Sequence, residues 1–546
     1  MSAAAEKSFS AGKESTGAPV GHDPKNPRRD AKLTRMGTAS IPRLITEFAI
    51  PAIAGMLVNG AYNVIGSIFL GQSMGEIGLS TMAVVNPTMI LFFAIAMLVG
   101  VGGNALAALR LGEGKRVDAE ISLGNTVFLG IAFSALVIVL ATTPVIVDNL
   151  ITLSSSTEEV RPYATSFIRI ISFGFVFQCI GMGVNNFIRT AGAPNRALTT
   201  MAVGTIACIF FSYLFVLRFN WGVEGSAWAT VCGQALSCGA VLWYFTITKN
   251  VPLKLHLRYI RPQARIIKAI LVLGLASFFI QAGAAVVSFI FNHLLVVYGA
   301  ASPLGAEDAL ASIGVVQRVL LFSTMPLMGV AVATQPLIGF NYGARLVPRV
   351  RKTFWYSVAG ATVLGFFTWA IVQLFPEAIA GVFGISHEGV IEFTVFALRI
   401  QLLFMPLLGF QVIGSNYYQA TGQPLKSVLL TLSRQIIFLI PMFLILPETL
   451  PHFLPQYNGL EALCFSVPVA DFFSIFTTAV FVFFEMKRLK RLEGGEIKAK
   501  YLSDDMALPS PALGEAKAAP GARPVGLGAA AGVGGSEAYA EAEGGA

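Results

Sequence analysis

Ionisable side chains are rare inside long apolar runs, and each one found there is a candidate for chemistry. Asp471 is the deepest acid of the chain, within Pro468-Val469-Ala470-Asp471. It lies about 11 residues into an expected helix, or roughly 16 Å at 1.5 Å per residue. A carboxyl group at that depth either takes and releases a proton or pairs with a buried cation. Arg318 and Arg434 are the deep cations, whereas Arg169 and Arg399 lie about two turns from the ends of their segments. The remaining acids, Glu47, Asp148, Glu224, Glu461 and Glu485, fall at segment ends, where solvated or interfacial roles are expected. Asn59, Asn185, Gln234, Gln281 and Gln335 are neutral polar groups within the same runs, able to line a cavity or to join helices.

Other chemistries lack their residues. No Gly-x-x-x-x-Gly-Lys-Ser/Thr loop supports ATP hydrolysis, and no Gly-x-Ser-x-Gly or His-Glu-x-x-His motif supports hydrolytic chemistry. Cys179, Cys208, Cys232, Cys238 and Cys464 all sit in apolar segments without a C-x-x-C pair, so packing is expected and metal binding is not. No enzyme activity, cofactor or metal site is expected. The net charge of +8 does not imply nucleic acid, because the basic residues lie in short connections between apolar segments.

The elements that position these residues follow from composition. The chain of 546 residues is 55% hydrophobic and 12% charged, with a mean hydropathy of +0.70. A soluble domain carries about 25% charged residues. Crossing a membrane takes about 20 apolar residues in a helix. Twelve such helices are predicted, near 44–70, 82–109, 121–143, 163–187, 196–217, 226–247, 268–297, 310–338, 353–375, 393–418, 426–446 and 460–486. Pro51, Pro87, Pro326, Pro336, Pro406, Pro441 and Pro468 fall inside them as possible kinks. Alternate connections carry the Lys and Arg, which predicts both termini in the cytoplasm and a multi-pass protein of the inner (plasma) membrane.

The organisation expected is a disordered tail over 1–40, a first lobe over 41–248, a basic cytoplasmic linker over 249–267, a second lobe over 268–492 and a disordered Ala/Gly-rich tail over 493–546. The lobes are duplicates. Arg169, Asn186, Gly192, Pro194 and Arg196 recur as Arg399, Asn416, Gly422, Pro424 and Lys426, all 230 residues later. Gly222, Glu224, Gln234 and Ser237 recur as Gly459, Glu461, Asp471 and Ser474 at 237 residues. The fold class is therefore all-α and polytopic: two six-helix lobes related by a pseudo-twofold axis along the membrane normal, the mark of a secondary transporter.

Four stretches carry a family resemblance: Ile188-Arg189-Thr190-Ala191-Gly192-Ala193-Pro194, Gly222-Val223-Glu224-Gly225-Ser226-Ala227-Trp228-Ala229-Thr230, Asn341-Tyr342-Gly343-Ala344 and Tyr418-Gln419-Ala420-Thr421-Gly422. In their order and spacing the chain resembles the multidrug and toxic compound extrusion (MATE) family, bacterial multidrug-efflux branch, over about residues 42–490. The resemblance implies two six-helix lobes around a central cleft and export of small organic cations in exchange for H⁺ or Na⁺ by rocker-switch alternating access, and a monomer in the lipid bilayer is expected. It also marks departures. Tyr62, Asn63, Phe69 and Gly71 match a first-helix pattern whose acid is here Gly66, and an Asn and Asp of the fifth helix are here Cys208 and Ser212. Of the coupling set in the first lobe, Asn185 and Thr230 remain. Coupling is accordingly expected either at Asp471 in the second lobe or by a different mode altogether. Two other readings stand beside this one: a flippase for lipid-linked sugars, with a basic cavity from Arg318, Arg399 or Arg434, and a membrane-embedded enzyme, for which no clustered acid, base or metal set is found.

Overall fold

Gly75 breaks the longest helical run of the chain. Its backbone sits at φ +59° and ψ −136°, open to glycine and costly for any residue with a Cβ. The computed structural model describes residues 27–144, 147–148, 151, 160–248, 251–382, 388–494 and 496, whose regular structure is all helical. Helix α1 covers Pro27–Thr38, and α2 covers Ile41–Gly112, the run that Gly75 divides into two spans. The first half continues with α3 (Arg116–Thr142), α4 (Arg161–Thr190), α5 (Pro194–Ser212) and α6 (Gly222–Thr246). The second half holds α7 (Ala264–Ala300), α8 (Ala306–Gly343), α9 (Val347–Leu374), α10 (Pro376–Val382), α11 (Glu388–Gln401), α12 (Met405–Ala420), α13 (Pro424–Leu432), α14 (Ile440–Phe453) and α15 (Gly459–Glu493).

Ten stretches of these helices are long and apolar enough to cross a membrane, and an eleventh if α11 and α12 count as one bent span. The twelfth span expected from sequence is α6. It is 25 residues long but carries Glu224, Ser226, Gln234 and Ser237, which lower its hydropathy, and it packs between α4 and α5. Of the seven prolines inside predicted spans, Pro406 coincides with a true break. There α11 and α12 meet at 46°, whereas the equivalent α4 runs unbroken for 30 residues. Proline removes a backbone donor and crowds the preceding turn, and the matching position of α4 is Val176.

The duplication appears bond by bond. Gly192 and Gly422 turn the chain after α4 and α12 with φ of +73° and +75°. Ala193 N–H donates to the Ile188 carbonyl at 3.1 Å, and Gln423 N–H to the Tyr418 carbonyl at 2.8 Å. The following spans each contain a π-helical segment, but about ten residues out of repeat register: Tyr213–Arg218 after α5 corresponds to 443–448, whereas the second is Ser433–Leu439 after α13. The halves meet where α2 crosses α7 and α8. A Cβ on Gly112 would strike the Phe340 carbonyl, and one on Gly343 would strike the Leu109 carbonyl. Both pairs are related by the same 231-residue shift, so the contact is two-fold symmetric.

Two boundaries differ from the sequence expectation. Residues 27–38, assigned to a disordered tail, form α1: Leu33 and Met36, three apart on one face, are buried, and the Met36 carbonyl accepts from Asn341 Nδ2 at 3.3 Å. The linker is shorter than 249–267, because α7 begins at Ala264. It is held on α3, where Glu120 Oε1 accepts from Lys254 N–H at 3.2 Å and Asn125 Oδ1 from Gln263 N–H at 3.0 Å. The rest of the predicted tails, residues 1–26 and 497–546, lies outside the described residues.

Candidate functional site

Asp471 points from α15 toward the π-helical segment that follows α13. Arg434 in that segment donates from Nε to Asp471 Oδ1 at 2.7 Å. The carboxylate is 5% exposed. A π-helical turn inserts an extra residue per turn and re-aims the side chains around it, which is why such turns gather at functional positions. Of the two deep arginines, Arg434 is thus the partner, and Arg318 is exposed on α8. Ser474, one turn beyond Asp471, is buried with its hydroxyl unpartnered. Of the three arginines considered for a basic cavity, Arg318 and Arg399 are exposed and Arg434 is paired with Asp471.

Among the described residues the first half has no equivalent ion pair. Gln234 stands where the repeat has Asp471, half-buried and with its Oε1 unpartnered. Gly204, 230 residues before Arg434, lets Ser237 and the Gly233 carbonyl approach closely. Asn185 bridges helices instead: its Nδ2 donates to the Ala197 carbonyl at 3.0 Å and to Thr200 Oγ1 at 2.7 Å. Ser415 repeats this brace in the second half, on the Ser427 carbonyl at 3.4 Å and Thr431 Oγ1 at 2.9 Å. Asn185 thus braces α4 to α5, as Ser415 braces α12 to the span that follows it. Thr230 is buried and bonds back to the Ser226 carbonyl of its own helix at 3.0 Å, so no hydrogen bond joins it to Asn185. Cys208 packs against Gly233, and Ser212 is buried. Gln281 is half-buried on α7, and Asn59 belongs to α2 with its side chain outside those described. Among the described residues no three His, Cys, Asp or Glu side chains gather closely enough to hold a metal.

Gln335 belongs to a different assembly. Thr190 Oγ1 donates to Asn104 Oδ1 at 2.6 Å, and Asn104 Nδ2 donates to Gln335 Oε1 at 3.3 Å. Gln335 Nε2 then donates to Gln419 Oε1 at 3.3 Å, and Gln419 Nε2 to the Leu273 carbonyl at 2.7 Å and to Ser277 Oγ at 3.0 Å. This relay joins α4 and α2 of one half to α8, α12 and α7 of the other. Asn104 and Gln419 were missing from the sequence-derived site. The signal for Gln419 was there, since it is the repeat partner of Arg189, a buried arginine that donates to Asn186 Oδ1 at 2.6 Å.

Glu485 also departs from expectation. It is 2% exposed, not solvated. Arg488 lies 3.1 Å from it, Lys426 3.4 Å, Gln423 Nε2 donates to it at 3.0 Å and Tyr417 Oη at 3.4 Å. The remaining end-of-span acids behave as expected. Glu47 pairs with Arg35, Asp148 lies 3.5 Å from Arg161, Glu461 closes a capping box with Asn458, and Glu224 is exposed.

Comparison with known proteins agrees with this architecture. The MatE family model matches twice, at residues 51–214 and 283–444, once in each half. The multidrug export protein MepA of Staphylococcus saprophyticus is 20% identical over 417 residues, covering 76% of this chain and 89% of its own. A solved MATE multidrug transporter, DinF-BH, is 33% identical and superposes with a TM-score of 0.74 over 82% of this chain and 96% of its own. An outward-facing multidrug resistance MATE transporter of the MOP superfamily superposes with a TM-score of 0.77 at 21% identity, over 84% and 99% of the two chains. With the model matched over more than half of its length and once in each repeat, the chain belongs to the MATE family of membrane transporters.

Proposed function

We propose that this chain is an efflux antiporter of the inner membrane that exports organic, cationic drug-like compounds in exchange for H⁺. It works as a monomer by rocker-switch alternating access, with both termini in the cytoplasm. The observation that carries the reading is the Arg434–Asp471 pair, a buried carboxylate in mid-span held by one cation. Protonation of Asp471 removes the charge that holds Arg434 and so changes the relative stability of two lobe arrangements. Na⁺ is the weaker candidate, because it needs several oxygen ligands and the guanidinium already occupies the carboxylate. The two-fold repeat supports rocking of one half on the other. The basic connections support a cytoplasmic assignment of the face they occupy. The names of the relatives support the class of substrate.

Dye uptake into everted membrane vesicles tests the reading. Wild type should accumulate dye under an imposed pH gradient, and Asp471→Asn should bind dye without accumulating it. Equal accumulation by both proteins, or accumulation driven by a Na⁺ gradient alone, would place coupling elsewhere.

A further inference from the structure

We infer that the amide relay through Asn104, Gln335 and Gln419 is the latch that holds the two halves together at one face, and that these three are positioning residues for the step that opens it. The inference rests on the transporter reading for its purpose, but its geometry stands alone. The hydrogen bonds of the relay run in one direction, each amide accepting on its oxygen and donating from its nitrogen, from Thr190 to the Leu273 carbonyl. Asn104, Thr190, Gln335 and Gln419 are all buried. One bond of the relay, Asn104 to Gln335, crosses between the halves, and its two residues are 231 positions apart. That is the spacing of Gly112 and Gly343, so the crossing bond sits on the pseudo-twofold axis itself.

Around this bond the backbones touch. A Cβ at Gly102 would meet the Ile270 carbonyl, one at Gly274 would meet the Leu98 carbonyl, and Gly112 and Gly343 lie about two turns beyond Asn104 and Gln335. All of these lie toward the face that carries the basic connections, where Arg349 also donates to the Ala39 carbonyl at 2.7 Å across the halves. Apolar packing that runs through both halves closes this seam, Arg349 and Asn341 fasten its rim to carbonyls at the end of α1, and the Asn104–Gln335 bond is the directed contact on its axis. Neutral amides suit a reversible closure. Separating a buried ion pair leaves two uncompensated charges, whereas separated amides are satisfied again by the water that enters.

The experiment is hydrogen–deuterium exchange by mass spectrometry on the full chain in nanodiscs. Gln335→Met keeps the volume and removes both amide groups. It should raise exchange about five- to tenfold in peptides from the basic-face ends of α2, α7 and α8, the shift expected from losing the one of its two hydrogen bonds that crosses between the halves. Peptides from the opposite ends of the same helices should stay within twofold of wild type. Thr190→Val removes the terminal donor and keeps the crossing bond, so its exchange should stay within twofold everywhere. Asn104→Ser provides the same reading as Gln335→Met should the methionine variant not fold. Unchanged exchange in the folded variants, or an equal rise at both faces, overturns the latch. Because exchange is read without substrate, the latch can fail while dye transport persists, and dye transport can fail while the latch holds.

Discussion

Asp471 and Arg434 illustrate how far single residues speak from sequence. An acid in an apolar run announces itself by type, and its cation was one of two deep arginines; the π-helical turn that aims Arg434 at it has no sequence signal and needed the structure. Removing Arg434 leaves a buried carboxylate unpaired, and removing Asp471 leaves a half-buried guanidinium without its partner. Asp471→Asn and Arg434→Met should each cost roughly 3–5 kcal/mol, and the double variant far less than their sum. Thermal unfolding in detergent over the four proteins measures this coupling. Glu485 shows the opposite failure. Its neighbours Lys487 and Arg488 make the sequence look like a solvated helix end, yet four side chains close over the carboxylate. Glu485→Gln should lower stability by about 1–3 kcal/mol, with Lys426 becoming more reactive toward amine-labelling reagents. Asn104 was illegible for a related reason: within Gly-Gly-Asn it reads as one more helix-joining amide, and nothing local shows that its partner lies in the other half.

At the scale of elements, spans were legible and their irregularities were not. Apolar length placed the helices to within a few residues, because lipid leaves the backbone no alternative to internal hydrogen bonding. Which of seven prolines breaks its helix depends on neighbouring packing, and that information is not local. The glycines divide in the same way. Gly274→Ala should push α7 away from α2, because the new Cβ meets the Leu98 carbonyl, and should cost about 1–3 kcal/mol. Gly360→Ala, in the open on α9, should be neutral or stabilise by about 0.5–1 kcal/mol. Unfolding midpoints of the two variants in one detergent give the comparison directly.

Over the whole molecule, duplication was the strongest sequence signal, and it carried both the lobe count and the axis. The sequence showed the copies diverging unequally, with Gln234 against Asp471, but not that a cation on the neighbouring span faces the acid. The second half keeps a charged pair between its last two spans, where the first half has Gly204 and Gln234. It also gave no sign that α1 fastens to the far half, since Arg349 reaches carbonyls at Met36 and Ala39 more than 300 positions away. Arg349→Ala should release α1, and limited proteolysis should then cut within residues 27–40 at least fivefold faster than in wild type.

The place of Asn104 and Gln335 on the axis bears on ancestry. Before a gene fusion, two copies of one half would have met as a homodimer, and a residue on the axis would have faced its own copy. Few side chains can bond to themselves. A carboxylate or a guanidinium repels its twin, and an aliphatic side chain makes no directed contact. A carboxamide carries donor and acceptor together and pairs with another carboxamide in either order. Selection on such a dimer therefore favours a neutral amide at that one position and leaves every site away from the axis free to acquire charge. Fusion then lets the two copies drift to Asn and Gln while the bond between them survives.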